Sequence, residues 1–243
     1  KPFANRIKAN PYLVHSNKIL NSDFTIAAAG KSKRRGYNTM KGYFKTIKKI
    51  IKSNNKRKYI YAYYSDHDSL CHGKGSHSRQ TIAHFKKLNK SLTTFLKNIE
   101  KTNTTVIITA DHGIAEVLPS KRIKLIDHPK LRETLTLPLC GEHRFAYCYV
   151  KPSKEKEFKK YVKTKLKHFC NLHKSEDLLK AGYFGLFKVH NNFQERIGDY
   201  ILIMKRGYGI YDKLDFQKYH YNLGDHGGLS KEELYCPLIV IKK

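Results

Sequence analysis

Three short segments contain Asp and His residues at spacings that suit a divalent metal ion. Asp68 and His72 are four residues apart, Asp111 and His112 are adjacent, and His226 lies in the segment Gly-Asp-His-Gly-Gly. Residues four apart share one face of a helix, so a single helical turn would direct Asp68 and His72 to the same point. Oxygen and nitrogen donors without thiolates favour zinc, manganese or iron over calcium. Two carboxylates and three imidazoles at one place can hold two such ions.

Each segment taken singly has an ordinary interpretation. An isolated Asp-x-x-x-His is usually a surface pair, Asp-His-Gly is common in turns, and His-Gly-Gly is typical of a loop. The chain also has 13 histidines, so some of them lie near one another by chance. It is the ordered set of three segments that favours a metal site.

The elements around the first two segments predict how their side chains meet. The run Val106–Ile108 predicts a buried parallel strand before Asp111, and Tyr59–Tyr64 predicts a second buried strand before Asp68. Between them, residues 79–99 show one apolar stripe, which predicts a helix packed on the core. A right-handed βαβ unit would bring both turns to one edge of a parallel sheet, where α/β proteins bind ligands.

Other apolar segments predict the remaining elements near the two ends of the chain. Phe24–Ala29 predicts a strand, and residues 40–52 predict an amphipathic helix. Leu229–Leu234 predicts a short helix with Ser230 as N-cap, followed by a last strand over Leu238–Ile241.

The predicted organisation has a core and an insertion. Residues 1–115 and 224–243 form the metal-binding α/β core, and residues 116–223, where strands alternate with a basic helix, form an α+β insertion or cap. Residues 1–23 show no clear period, and the chain lacks an initiator Met, so we expect a fragment or a processed chain.

Composition excludes several classes of protein. With 243 residues, 40% of them hydrophobic, the chain can bury a core and is not a disordered polymer. It has no run of about 18 apolar residues, so we expect no membrane span. Its five cysteines are widely spaced, odd in number and free of CxxC pairs. This pattern argues against a disulfide framework or zinc ribbon and favours a reducing, cytoplasmic location.

The formal charge of +28 has two interpretations. It could serve a polyanionic partner, or it could be a solvated lysine-rich surface. The second is favoured because the lysines are scattered, with tight clusters only at Lys31–Arg35 and Lys56–Lys58. A basic nucleic-acid-binding module, which the 17 tyrosines would allow, therefore stays an alternative, although no nucleic-acid-binding motif is found.

Taken together, the segments resemble the type I phosphodiesterase/nucleotide pyrophosphatase branch of the alkaline phosphatase superfamily. The resemblance spans roughly residues 55–243. It implies an α/β fold of the alkaline phosphatase type, a mostly parallel sheet flanked by helices with an α+β insertion. The matching stretches are Tyr64–Gly73, Ile107–Gly113, Gly224–Leu234 and Pro237–Val240.

The resemblance assigns the metal ligands. Asp68, His72 and His226 would hold one zinc ion, and Asp111 and His112 would hold part of the site for a second. In the family the second ion also takes an Asp from an early strand, and a Thr or Ser nucleophile at the start of a helix lies between the ions.

Both of those residues would lie upstream of the matched region. Ser22, Asp23 and Thr25 are nominal candidates, but their spacing and context do not match the family. The resemblance therefore implies that this chain is a C-terminal portion that pairs with a missing N-terminal part and is inactive alone.

The implied function is a metal-dependent phosphoric ester hydrolase that cleaves phosphodiester or nucleotide pyrophosphate bonds. Its substrate would be an anionic phosphate ester or nucleotide, because two cations can stabilise the attacking and leaving oxygens of an in-line displacement. A sulfatase, a phosphonate hydrolase or a phosphomutase would use the same ligands, so these alternatives stay open. Four residues of the insertion could contact the substrate, but a solvated charge is the favoured interpretation for each of them, namely Lys121, Arg122, His128 and Arg144.

Overall fold

The structure is a computed structural model that describes residues 2–214 and 216–243. Its described residues form two compact units. The first unit comprises the chain up to Leu70 together with residues 77–109 and 237–243, and the second comprises residues 71–76 and 110–236.

Two small sheets and three complete helices make up the described part of the first unit. Its strands are β1 (Asn10–Ser16), β2 (Lys33–Tyr37), β3 (Lys58–Ala62), β4 (Thr105–Thr109) and, at the end of the chain, β13 (Leu238–Lys242). Its helices are α1 (Asp23–Ala29), α2 (Met40–Ile51) and α4 (Arg79–Asn98), and helix α3 (Asp66–Lys74) begins here and ends in the second unit. One sheet is parallel in the order β2-β1-β3, and the other is an antiparallel pair of β13 and β4.

The prediction for β4 is right about the strand and wrong about its surroundings. β4 pairs with β13 antiparallel, and the side chain of Ile107 is 63% exposed, so this is not a buried parallel strand. Within the described residues no ladder joins β4 to β3. The predicted βαβ unit is present as an order of elements but not as two neighbouring parallel strands. An apolar run shows that a strand forms, but it does not identify the strand beside it.

Helix α1 corrects a second prediction, because Phe24–Ala29 was expected to be a strand. The Ser22 hydroxyl accepts a hydrogen bond from the Thr25 amide at 3.2 Å and caps the helix. The three alanines that follow have the highest helix propensity of any residue type. A short apolar run fits a strand and a helix equally well, and here the cap and the alanines favour the helix.

The long helices agree with their predictions. Residues 40–52 and 79–99 were expected to be helices, and α2 and α4 cover them almost completely. Tyr12, Val14, Ile47, Phe95 and Ile99 lie in the buried core that these helices form with β1.

The apolar stripe of α4 and the expected buried strand over Tyr59–Tyr64 are less buried than predicted. Ile82 and Phe85 are 45% and 57% exposed, and on β3 Tyr59 and Tyr61 are 38% and 50% exposed. Helix and strand form as expected, but part of each apolar face is open to solvent.

The second unit is built around a four-stranded antiparallel sheet in the order β7-β8-β10-β9. The strands of this sheet are β7 (Cys140–Glu142), β8 (Phe145–Cys148), β9 (Cys170–Lys174) and β10 (Tyr200–Met204). Outside this sheet, β5 (Ala115–Glu116) pairs with β12 (Gly224–Asp225), and β6 (Arg122–Lys124) pairs with β11 (Gly209–Tyr211). Its helices are α5 (Pro129–Arg132), α6 (Glu155–Tyr161), α7 (Ser175–Lys180) and α8 (Lys231–Leu234).

The core of the second unit lies between this sheet and helix α6, which continues as a π-helix over Val162–Leu166. Leu125, Leu131, Phe158 and Leu202 are among its fully buried residues. The predicted division of the chain at residues 116 and 224 stays a prediction. None of the helices that the described residues form is long and apolar enough to cross a membrane.

Candidate metal centre

Helix α3 positions the first two predicted ligands. Asp66 and Asp68 lie in its first turn, where carboxylates interact favourably with the helix dipole. Asp68 precedes His72 by one turn on this helix, as the spacing predicted. Both side chains are half-buried.

The loop after β4 carries Asp111 and His112, and its path depends on Gly113. The Gly113 amide donates a hydrogen bond to the Glu233 carbonyl oxygen at 2.8 Å. A Cβ atom at this position would lie 1.9 Å from the carbonyl oxygen of Glu232, so only glycine fits against the start of α8. The sequence pattern identified this turn, and the structure shows what it packs against.

A two-residue ladder places His226. β12 pairs antiparallel with β5, so that Gly224 lies opposite Glu116 and Asp225 opposite Ala115. Ala115 follows the Asp111-His112 segment, and His226 follows Asp225. The ladder therefore brings two of the three predicted segments together inside the second unit.

Three imidazole rings meet there. The ring centroids of His72 and His226 are 5.1 Å apart, and those of His112 and His226 are 3.7 Å apart and nearly parallel. Three neighbouring imidazoles are a common ligand set for zinc and other divalent transition metals. A ring nitrogen of His112 and one of His226 lie within 4.8 Å of each other, so these two histidines fit such an ion.

Backbone carbonyl oxygens lie within hydrogen-bond distance of Nδ1 of two of these histidines. His72 Nδ1 lies 2.7 Å from the carbonyl oxygen of Gly224, and His112 Nδ1 lies 3.0 Å from that of Gly113. A carbonyl can only accept, so the neutral tautomer that fits each contact carries its proton on Nδ1 and has its acceptor nitrogen at Nε2. Metal-binding histidines are typically oriented in this way by their other ring nitrogen.

Asp111 adds an oxygen donor beside the rings. Its Oδ2 lies 3.9 Å from His112 Nε2, and its side chain is 54% exposed. Zinc bonds to imidazole and carboxylate are about 2 Å long, so one cation could bind both atoms.

Asp225 lies next to His226 and is almost fully buried. Burial alone would raise its pKa. Hydrogen bonds from His143, Asn222 and the His226 amide outweigh that effect, and the pKa lies below its ordinary value. His143 Nδ1 is 3.0 Å from Asp225 Oδ2. A buried carboxylate anion therefore anchors the backbone of the His226 turn.

An ion pair that the sequence did not reveal lies on the other side of this turn. Arg144 is fully buried and binds the carboxylate of Glu233 through two of its nitrogens. The interpretation of Arg144 as a solvated charge is therefore wrong. The capping box of Ser230 and Glu233 was predicted and is present. The pairing of Glu233 with Arg144, which lies 89 positions away, was not predictable from any local sequence pattern.

The other charged residues considered from the sequence contact their own chain. Arg122 donates to the Asn222 carbonyl oxygen at 3.0 Å, and His128 Nδ1 lies 2.9 Å from the Tyr161 hydroxyl. The ammonium of Lys121 lies 5.3 Å from the centre of the Tyr208 ring. Each of these contacts holds the side chain against the surface of the second unit.

The nominal nucleophiles lie at the start of α1, in the first unit. Ser22 caps that helix and donates a hydrogen bond from its hydroxyl to Thr25 Oγ1 at 3.0 Å. Thr25 is buried. Both hydroxyls have a role in the local structure of α1.

Comparisons with known proteins identify the fold and the family of this chain. The fold is similar to that of human ectonucleotide pyrophosphatase/phosphodiesterase 5, with a TM-score of 0.72 and 17% sequence identity over 98% of this chain and 61% of that one. For an inactive variant of the murine protein in complex with AMP, the TM-score is 0.71 and the sequence identity is 17%, over 97% of this chain and 61% of that one. For phosphonoacetate hydrolase from Sinorhizobium meliloti 1021, in complex with phosphonoformate, the TM-score is 0.63 and the sequence identity is 14%, over 96% of this chain and 65% of that one.

These structures define the fold as α/β of the alkaline phosphatase type, as the sequence predicted. Residues 9–229 match the description "Type I phosphodiesterase / nucleotide pyrophosphatase". The chain belongs to this family of hydrolases. No curated protein sequence matches it closely. The chain spans about 61% of the length of the ectonucleotide pyrophosphatase/phosphodiesterase 5 structures.

Proposed function

We propose that this chain forms the metal-binding portion of a phosphoric ester hydrolase that cleaves phosphodiester or nucleotide pyrophosphate bonds. Five residues would hold two divalent cations, zinc in our proposal, namely Asp68, His72, Asp111, His112 and His226. The observation that carries the proposal is the meeting of three imidazoles from distant segments, with Nδ1 of His72 and of His112 held by carbonyl oxygens.

The role of the chain's own residues would be to bind the cations and to fix their positions. His72 and His112 present Nε2, Asp111 presents a carboxylate oxygen beside them, and Asp68 lies one helical turn from His72. Cations bound to these residues would neutralise charge on the attacking and leaving oxygens and lower the pKa of a bound hydroxyl. An anionic phosphate ester or nucleotide is therefore the substrate class that we propose.

We further propose that turnover needs a polypeptide segment beyond these residues, which supplies the attacking hydroxyl. Support comes from the first unit, where Ile107, Leu238 and Val240 are 63%, 74% and 58% exposed on one face of the β4–β13 pair. A contiguous apolar face of this kind is typical of a surface that another segment covers. We expect no turnover from the chain alone.

Metal binding by the purified chain tests the proposal. We expect the chain to bind zinc, as measured by elemental analysis and by titration against a chelating indicator. The variant His226→Ala removes one of the three imidazoles. Its loss of affinity should exceed the roughly tenfold to hundredfold loss that follows removal of an outer-shell partner.

The matched control is His168→Ala, because His168 is an exposed histidine of the same unit. It should leave zinc affinity unchanged. Equal affinity in the chain, His168→Ala and His226→Ala would show that the metal binds elsewhere and would contradict the proposal.

Phosphonate hydrolysis is a second candidate, supported by the fold similarity to phosphonoacetate hydrolase. Once the attacking segment is supplied, the same two-metal layout could act on a phosphonate. Parallel assays with bis-p-nitrophenyl phosphate and phosphonoacetate distinguish the two. Release of p-nitrophenol favours the phosphodiesterase, and release of inorganic phosphate from phosphonoacetate favours the second candidate.

A further inference from the structure

The ion pair of Arg144 and Glu233 lies entirely inside the second unit. The exposed fraction is 0% for Arg144 and 2% for Glu233, and Nη2 of Arg144 donates to Glu233 Oε2 at 2.7 Å. Nε of the arginine donates to the other carboxylate oxygen, and Nη1 donates to the carbonyl oxygen of Tyr208 at 2.6 Å. The guanidinium is thereby fixed to both the carboxylate and the neighbouring backbone.

Glu233 connects this fixed arginine to both histidine loops of the second unit. Its carboxylate accepts hydrogen bonds from the Gly228 amide at 2.8 Å and the Ser230 amide at 3.1 Å, just after His226. Its backbone carbonyl accepts the Gly113 amide, which directly follows His112, at 2.8 Å. One residue therefore holds the backbone of both loops.

Stability alone does not explain such a pair. Well-packed apolar side chains of the same volume are often as stabilising as a buried ion pair, or more so. Apolar side chains, however, offer no acceptor to the amides of Gly228 and Ser230. What the ion pair supplies is a carboxylate held at a fixed position and pointing in a fixed direction.

We propose that Arg144 and Glu233 are a positioning pair that holds His112 and His226 in a cation-binding arrangement before any cation binds. The inference rests on the proposed function, because it takes these imidazoles to be ligands. The adjacent His143 contributes from the other side, since its bond to Asp225 holds the residue before His226. The consecutive residues His143 and Arg144 thus bind Asp225 and Glu233, the acidic residues before and after the His226 turn.

Cobalt(II) is the probe for the first test, because its visible absorption reports the geometry of its ligands. We expect Glu233→Gln and Arg144→Lys to bind cobalt(II) about tenfold to a hundredfold more weakly than the unmodified chain. Their near-ultraviolet circular dichroism should show a folded protein. The absorption spectrum at saturation should also broaden, which a loss of stability alone would not cause.

The matched control is Arg206→Gln. Arg206 pairs with Glu232 at 2.6 Å, next to Glu233 in sequence, but its side chain is 82% exposed. This variant should bind cobalt(II) as tightly as the unmodified chain. If Glu233→Gln and Arg144→Lys, when folded, bind cobalt(II) with unchanged affinity and spectrum, the proposal is wrong.

A second measurement needs no variant and no metal. Hydrogen exchange of the metal-free chain should show the amides of Gly113, Gly228 and Ser230 opening only with global unfolding. Rapid exchange at these amides would overturn the positioning role, even if the variants did not fold. A chain that binds no cobalt(II) would instead contradict the proposed function, while the exchange rates would still decide the question of positioning.

Discussion

At the scale of single residues, the carboxyl group of Glu233 makes stability depend on pH. Burial alone would raise its pKa, but the hydrogen bonds and charge of Arg144 lower it below its ordinary value. A carboxyl group with a lowered pKa stabilises the folded protein above its unfolded pKa of about 4.3, and this contribution is lost as the pH falls through the folded pKa.

The variant Glu233→Gln tests this dependence in metal-free buffer. At pH 7 it should lower the free energy of unfolding by about 3–5 kcal/mol, because it leaves Arg144 buried without its partner. Below pH 4 the difference from the unmodified chain should shrink, since protonation of Glu233 has the same effect. Urea unfolding at pH 7, 5 and 3 measures it.

The exposed pair of Glu176 and Lys180 provides the control, because Glu176→Gln should change the unfolding free energy little at any pH. A difference between Glu233→Gln and the unmodified chain that stayed equally large at pH 3 would contradict the assigned pKa direction.

The spacing of residues in the sequence predicted the placement of Asp68 and His72 on one helix, whereas the charge of Arg144 did not predict its buried position. The four-residue spacing of Asp68 and His72 on one helix was predictable because helical periodicity is local. The role of Arg144 was not, because a lysine-rich chain contains many cations and only the fold brings this one to Glu233. The assignment of the five ligands to two cations stays a prediction.

At the scale of elements, replacing two glycines with alanine should change stability in opposite directions, because Gly113 packs against α8 and Gly73 lies in helix α3 with open space around it. Gly113→Ala should destabilise the chain and weaken metal binding, because a methyl group would collide with the Glu232 carbonyl oxygen. Gly73→Ala should stabilise it by about 0.5–1 kcal/mol, since Gly73 lies in helix α3 with open space around it.

Thermal unfolding of the two variants in metal-free buffer compares the elements directly. The variants make the same chemical change, one methyl group added to a glycine, so a difference in sign isolates the packing of the loop. Equal shifts in the same direction would show that the contact between Gly113 and α8 is not tight.

Elements were predictable where a long periodic pattern determined them. α2 and α4 each repeat their apolar positions over several turns, and both formed as expected. Phe24–Ala29 was too short for such a pattern, and the Ser22 cap decided in favour of a helix. For β4 the strand was predictable, but its antiparallel partner comes from the end of the chain, which no local pattern indicates.

At the scale of the whole molecule, the exposed apolar face of the first unit predicts self-association. Val240 lies opposite Ile107 in the β4–β13 register, so their side chains are neighbours on one face. Replacing both with Thr keeps strand propensity and removes apolar surface. We expect Ile107→Thr/Val240→Thr to reduce association, as measured by light scattering at increasing protein concentration.

Val106→Thr is the control, because Val106 packs against the core of the first unit on the opposite face of β4. It should lower stability without reducing association. Association that is unchanged in the double variant would show that this face is not the one through which chains meet.

The ladder between β5 and β12 joins segments about 110 residues apart, and it has a consequence for the order of folding. Closing so long a loop is entropically unfavourable until the intervening antiparallel sheet has formed. A cation added at the start of refolding therefore meets imidazoles still scattered along the chain. It should leave the main refolding rate unchanged and act instead on unfolding, which it slows.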